Sequence, residues 1–168
     1  GDVKPAQRIM VYDGTGRHEA VSCAEQLAID GASVTFVTID DRVAAELGYA
    51  ERPTHRKKLY ELDVEVRLDQ MLLSVCREDD HLVVTLRNDL TDAIVEIETD
   101  QLVVERGTFP VDEVFQELKG GADNRGVTDI NALINARPQP FDKPARDGYL
   151  LYRIGDAVSS RSVHAALL

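Results

Sequence analysis

A strand–turn–helix–strand pattern near the amino terminus limits most strongly what this chain can fold into. Residues 8–12 form a short apolar run typical of a buried parallel strand, and a turn containing Gly14 and Gly16 follows it. Apolar residues then recur at helical spacing over 17–30, and the β-branched segment 34–38 predicts a second strand. Because such crossovers are right-handed and join parallel strands, the pattern predicts a Rossmann-like α/β fold.

The middle of the chain carries a different strand pattern. Helices are expected at 41–47 and 55–62 and a short strand at 64–66. Three apolar segments follow that are separated only by brief polar turns, at 70–77, 81–87 and 93–98. Connections this short join antiparallel neighbours, so the segments predict a β-meander, and 101–105 predicts another core strand. The predicted fold class is α/β, a Rossmann-like three-layer domain with a central parallel sheet and an antiparallel β-meander.

The remaining residues divide into a loop and a short structured end. Residues 120–148 are rich in glycine and proline, which indicates a linker or surface loop with a short helix at 129–136. The apolar run 149–154 predicts a strand followed by a helix. We therefore expect a Rossmann domain with its meander over 1–119, the loop over 120–148, and a truncated strand–helix piece of a further domain over 149–168.

The two ends of the sequence support that last expectation. The first residue is Gly1 rather than methionine, and the helical pattern of 163–168 carries no stop signal. The sequence therefore predicts a piece of a longer protein.

Composition and charge argue against several classes of function. The net charge of −11 at pH 7 repels nucleic acids and anionic membranes, so neither is an expected partner. Cys23 and Cys76 have no CxxC spacing and the four histidines are scattered, so no metal site is expected. No catalytic motif is present, and the two isolated cysteines favour a reducing, cytoplasmic location.

The glycine turn is the first candidate binding motif. A dinucleotide fingerprint needs G-x-G-x-x-G so that a pyrophosphate can approach the backbone and the helix N-terminus. Counted from Gly14, the third glycine position is Glu19; counted back from the helix, the three positions are Thr15, Arg17 and Ala20. The turn thus has the right context and the wrong spacing. It predicts a scaffold that has lost its dinucleotide, with Gly14, Gly16 and Arg17 as candidate contacts if NAD(P)H binds.

The end of the second predicted strand gives a weaker signal for the same cofactor. An acidic residue expected there to hold ribose hydroxyls is replaced by Thr38, and Asp40 comes two residues later. Arg42 is a candidate contact for a 2′-phosphate, although a single arginine is more often a solvated surface residue.

The second candidate motif is Gly155-Asp156-Ala157 after the last predicted strand. A glycine there lets a ligand approach the backbone, and the aspartate either caps a helix or accepts hydrogen bonds from a sugar hydroxyl. The run from Ile154 to Ala166, IGDAVSSRSVHAA, resembles the second flavin-nucleotide motif of the trimethylamine dehydrogenase and 2,4-dienoyl-CoA reductase family. The segment from Val11 to Ala28 and the meander are similar to that family's NAD(P)H-like domain, as in pyridine-nucleotide disulfide reductases.

The resemblance covers nearly the whole chain and is greatest to N-methylproline demethylases. It implies a parent enzyme with an N-terminal TIM barrel that holds FMN and with a 4Fe–4S cluster, both missing from this sequence. It also implies an FAD- or ADP-binding domain, of which this sequence would contain only the strand–helix piece over 149–168. Glu105-Arg106-Gly107-Thr108 departs from the family's Ala/Thr-Gly-Arg segment. The resemblance therefore implies a domain fragment of a flavin-dependent oxidoreductase or amine dehydrogenase. Its partners would be the other parts of the same protein, and the parent would be compatible with a homo-oligomer.

Three interpretations remain open at this point. The chain is a scaffold with a degenerate NAD(P) site, or an NAD(P)H-docking domain of an enoate reductase-type enzyme, or a stand-alone nucleotide-binding or interaction module. The sequence predicts no catalytic residue within it.

Overall fold

A computed structural model describes residues 6–140 and 148–159 of the chain. The chain divides into two compact units, residues 1–107 and residues 108–168. The domain boundaries expected at 119 and 148 stay predictions, because they concern which domain of a larger protein each segment belongs to.

The first unit contains all the strands found in the described residues. In chain order its elements are β1 (Arg8–Asp13), α1 (His18–Ile29), β2 (Ser33–Thr38), α2 (Arg52–Glu61), β3 (Glu65–Arg67), β4 (Gln70–Glu78), β5 (His81–Asn88), β6 (Ile94–Thr99) and β7 (Gln101–Glu105). A parallel sheet has the order β3-β2-β1-β7, and β4-β5-β6 form an antiparallel sheet. The predicted fold class is confirmed.

Strict alternation along β1 explains why the central sheet has a layer on each face. Ile9 and Val11 belong to a core that includes Ala20, Val21 and Ala24 of α1 and Leu59 of α2. Met10 and Tyr12 belong to a second core with Val84 and Leu86 of the meander. Successive side chains of a strand point to opposite faces, so one buried apolar strand supports both the helices and the meander.

The second unit is small, and residues 108–140 and 148–159 of it contain only short helical elements. It contains α3 (Glu113–Leu118), which the sequence did not predict, α4 (Ile130–Ile134) and a 3-10 turn at Gly155–Ala157. Asn124 is only 2% exposed, and its side-chain amide donates to the carbonyls of Val127 and Leu151 while its oxygen accepts from the Leu151 N–H. The Asn124 side chain therefore forms hydrogen bonds with backbone groups that would pair with a neighbouring strand in a sheet.

Three local predictions were wrong or misplaced. Residues 41–47 form turns, because Ala44 has a φ of 54° and the Glu46 N–H donates to the Gly16 carbonyl. The second helix begins at Arg52 rather than residue 55, since Pro53 fits a first helical turn that needs no N–H donor.

The predicted strand at 149–154 is absent from the described residues. Backbone groups of this segment pair elsewhere: the Tyr149 carbonyl accepts from the Asp123 N–H, and the Leu151 N–H donates to the Asn124 side chain. The helix expected after Ala157 lies outside the described residues. Within the described part of the chain, no helix is both long and apolar enough to cross a membrane.

Candidate functional site

The glycine turn lies where the carboxyl ends of three parallel strands meet. In the strand register, Asp13 at the end of β1 pairs with Thr38 of β2 on one side and with Glu105 of β7 on the other. Ligands of open α/β sheets bind at this edge. The elements therefore place the turn in the position of a Rossmann nucleotide site.

A buried carboxyl group shapes this turn. Asp13 is fully buried, and its Oδ1 accepts the N–H groups of Thr15 at 3.1 Å and Gly16 at 2.8 Å. Its Oδ2 is buried without a hydrogen-bond partner. Burial raises the pKa of Asp13 and the two N–H donors oppose that rise, while the charges of Glu105 and Asp40 add to it. Sequence reasoning missed this residue, although an acid that ends an apolar strand is a readable signal.

The raised pKa of Asp13 predicts a pH-dependent stability. At pH values above 3.8, the Asp13 carboxyl group is protonated to a greater extent in the folded state than in the unfolded state. The free energy of unfolding therefore falls as the pH rises through the pKa of the folded state. Asp13→Asn removes this titration and keeps an oxygen for both N–H donors. We expect the stability of the variant relative to the parent, measured by denaturant unfolding, to increase as the pH is raised above the ordinary aspartate value of 3.8.

The control for this prediction is Asp80→Asn, which removes a carboxylate from a fully exposed turn side chain. A stability difference between Asp13→Asn and the parent that stays constant across the acidic range would contradict the prediction.

Both glycines of the turn pack closely against other segments of the same chain. The Gly14 N–H donates to the Glu105 carbonyl at 2.8 Å, and a Cβ on Gly14 would lie 2.9 Å from that oxygen. Gly16 has a φ of 69°, and a Cβ there would lie 2.7 Å from Asp40 Oδ2 and 3.2 Å from the Ala45 backbone nitrogen. Segment 40–46 therefore occupies the space that opens over the second glycine.

The end of β7 closes the turn from the other side. The Glu105 carboxylate accepts from the Thr15 hydroxyl and from the Gly107 N–H, the latter at 2.6 Å. Gly107 has a φ of 86°, which lets the chain turn back onto that carboxylate. The sequence Glu105-Arg106-Gly107, which departs from the family pattern, thus builds a local contact with the turn.

The helix shows which spacing of the motif applies. Ala20 is 2% exposed and packs in the core of α1, whereas the Glu19 side chain is 45% exposed. The small third position is therefore Ala20, and the second fingerprint position is Arg17, the extended N-cap residue of α1. A side chain stands where the fingerprint requires a glycine.

Several carboxylates lie close to the glycine turn. Burial raises the pKa of Asp40, and the charges of Glu46 and Asp41 add to that rise. With Asp13 and Glu105, these groups create a negative potential where a pyrophosphate would need a positive one.

Arg42 lies in a different environment from the glycine turn. Its exposed guanidinium pairs with Asp41, with 2.5 Å between Nε and Oδ1. It lines an open cavity of about 470 Å³ with Asp41, Val43, Tyr49, Arg52, Pro53 and Arg56. Sequence reasoning did not identify Tyr49, Arg52 or Arg56 as site residues, because loop and helix residues meet only after folding.

The second candidate motif lies in the second unit. Gly155, with a φ of 56°, begins a 3-10 turn in which Asp156 is exposed. Ala157 ends the turn. The structure thus assigns the two sets of predicted residues to different units, and their roles in binding stay predictions. Within the described ranges, no three His, Cys, Asp or Glu side chains form a group that could hold a metal ion.

Comparison with known proteins identifies relatives of this chain. No family model matches it. It is 38% identical to an N,N-dimethylglycine/sarcosine dehydrogenase of Chromohalobacter salexigens, over 99% of this chain and 25% of that protein. It is 35% identical to a multifunctional alkene reductase/demethylase of Caballeronia cordobensis, over 95% of this chain and 24% of that protein.

A third relative bears the name "Probable N-methylproline demethylase" and comes from Rhizobium meliloti. It is 34% identical over 99% of this chain and 25% of its own length. The predicted resemblance to the trimethylamine dehydrogenase and 2,4-dienoyl-CoA reductase family is confirmed. The chain spans about a quarter of the length of these curated relatives.

Solved structures support the fold. Histamine dehydrogenase from Rhizobium sp. 4-9 superposes with a TM-score of 0.69 and 20% identity, over 94% of this chain and 21% of that one. Lactococcus lactis thioredoxin reductase gives a TM-score of 0.62 and 20% identity, over 96% of this chain and 48% of that one. The shared feature is a Rossmann-like domain with a meander.

Proposed function

We propose that this chain is a scaffold domain of a longer flavin-dependent oxidoreductase or amine dehydrogenase, and that its NAD(P) site is degenerate. The observation that carries the proposal is the coverage of Gly16 by Asp40 and Ala45. A pyrophosphate would need both to move, and it would then meet the carboxylates of Asp13 and Glu105. The names of the relatives support the enzyme class, and the coverage of Gly16 supports the loss of the NAD(P) site.

The parent would hold its cofactors largely in other parts. We propose that a TIM barrel binds FMN, that a 4Fe–4S cluster lies beside it, and that a further domain binds FAD or ADP. Gly155, Asp156 and Ala157 would then complete the nucleotide site of that further domain, because an exposed carboxylate beside a glycine turn can accept sugar hydroxyls. These parts of the same protein are the proposed partners, in a cytoplasmic enzyme that is compatible with homo-oligomers.

This chain's own residues would contribute rigidity rather than chemistry. The turn residues Asp13, Thr15 and Glu105 hold the carboxyl ends of β1 and β7 together through their side chains. The proposed role is to support the redox domains of the parent.

Calorimetry with NADH and NADPH tests the proposed function on the 168-residue chain. We expect no dissociation constant in the low micromolar range for NADH, because its two phosphates would have to lie on the covered turn. The control is the melting temperature of the same sample, which shows that the chain is folded. Low micromolar NADH binding would overturn the proposal and favour an NAD(P)H-docking domain.

A further inference from the structure

The cavity beside Arg42 concentrates positive charge in a strongly acidic protein. Arg42, Arg52 and Arg56 line it together with Asp41, Val43, Tyr49 and Pro53, and we refer to this set as the arginine pocket. The chain carries a net charge of −11, so three guanidinium groups around one cavity depart from its general surface. The volume of about 470 Å³ is that of a small-molecule site.

Two of these guanidinium groups are available to a ligand. Arg52 and Arg56 stand four residues apart on α2 and therefore share one face of the helix. Within residues 6–140 and 148–159, neither forms an ion pair with a carboxylate; other cations of the region do, as Lys57 does with Glu61. Paired guanidinium forks match the oxygen geometry of a phosphate group.

An exposed aromatic ring adjoins the guanidinium groups. Tyr49 is 87% exposed, and the Arg52 guanidinium carbon lies 6.0 Å from its ring centroid. An adjoining cavity of about 270 Å³ shares Arg42 and Arg56 and is also lined by Tyr60, which is 69% exposed. Exposed rings beside arginines provide stacking surfaces for a planar base.

We propose that the arginine pocket binds a nucleoside monophosphate, with its phosphate on Arg52 and Arg56 and its base against Tyr49. A mononucleotide is proposed rather than a dinucleotide because Gly16 of the glycine turn is covered by Asp40 and Ala45 and so offers no second phosphate site. This inference goes beyond the proposed function, since it gives a ligand to residues outside the glycine turn.

Asp41 sets the strength of this site. Its carboxylate lines the pocket and engages the Arg42 guanidinium through two contacts of 2.5 Å. The bound carboxylate both neutralises Arg42 and repels a phosphate. Removing its charge therefore adds a third guanidinium to the site, which makes Asp41→Asn a variant expected to gain affinity.

Calorimetric titration of the 168-residue chain with four probes tests the ligand class. The probes are AMP, adenosine, ribose 5-phosphate and inorganic phosphate. We expect AMP to bind in the high micromolar range, and each of the three partial ligands to bind at least about 10-fold more weakly, because each lacks the base or the phosphate. Equal binding of AMP and inorganic phosphate would overturn the nucleoside part of the proposal, and no binding of AMP would overturn it entirely.

Variants separate the pocket from general electrostatics. Arg52→Gln and Arg56→Gln should each weaken AMP binding about 10-fold or more, and Asp41→Asn should tighten it about 3-fold or more. Arg77→Gln, which removes an exposed arginine from β4, is the matched charge control and should leave the affinity unchanged. Equal loss in Arg77→Gln and Arg56→Gln, or no gain in Asp41→Asn, would contradict the assigned contacts. The NADH titration tests the proposed function separately from the arginine pocket, because NADH has no phosphate monoester of the kind that AMP would place on Arg52 and Arg56.

Discussion

Replacing Glu25 by alanine is expected to lower the free energy of unfolding by about 3 kcal/mol. Glu25 belongs to α1 and is only 5% exposed. Its Oε1 lies 2.7 Å from His55 Nδ1 and its Oε2 lies 2.9 Å from Lys58 Nζ, both on α2. The variant leaves both α2 side chains without their acceptor and opens space between the two helices. Denaturant unfolding measures the change.

Two further variants make this expectation specific. Glu61→Ala removes the carboxylate of an exposed pair with Lys57 and should cost less than about 0.5 kcal/mol. Glu25→Gln keeps the size and one acceptor oxygen and should cost about half as much as alanine. A loss in Glu25→Ala no larger than that in Glu61→Ala would show that the buried link between α1 and α2 does not stabilise the fold.

Gly16→Ala is expected to destabilise the first unit by about 2 kcal/mol. The backbone there has a φ of 69°, which costs a residue with a Cβ part of that energy. The remainder comes from crowding, because the new Cβ would lie 3.1 Å from the Ala45 Cβ and 2.7 Å from Asp40 Oδ2. The measurement is again denaturant unfolding at neutral pH.

Gly31→Ala is the matched control for this crowding. Gly31 also has a positive φ, of 94°, but nothing lies within 4 Å of the position of its Cβ. It should cost only the backbone strain, about 1 kcal/mol. Equal losses in the two variants would mean that segment 40–46 does not cover Gly16, and they would remove the main support for a degenerate NAD(P) site.

The helix link and the arginine pocket depend on the same helix. Glu25 contacts α2 on one side, through His55 and Lys58, while Arg52 and Arg56 of α2 line the pocket. The position of the pocket arginines therefore depends on a buried contact between the two helices. Glu25→Gln, which is expected to remain folded, is the milder way to alter that position.

Most of the first unit could be predicted because its signals are local. Segment 101–105 was predicted with the bounds of β7, and the meander strands lie within about two residues of their predicted positions. Alternating or continuous apolar runs with short turns between them leave few pairings that bury the apolar side chains. The local pattern predicted the wrong structure at 41–47 and 149–154, because backbone groups in both segments form hydrogen bonds with residues that lie far away in the chain.

The candidate site divides between sequence and tertiary structure in the same way. The sequence by itself determined that a glycine turn joins the first strand to the first helix and that its spacing departs from a dinucleotide fingerprint. Only the tertiary structure decided what occupies the space over Gly16, because Asp40 and Ala45 arrive there through the path of the loop after β2. The same loop brings Arg42 and Tyr49 to Arg52 and Arg56. A contact between Gly16 and segment 40–46, which are separated by a helix and a strand, has no periodic signature, so only the folded chain shows it.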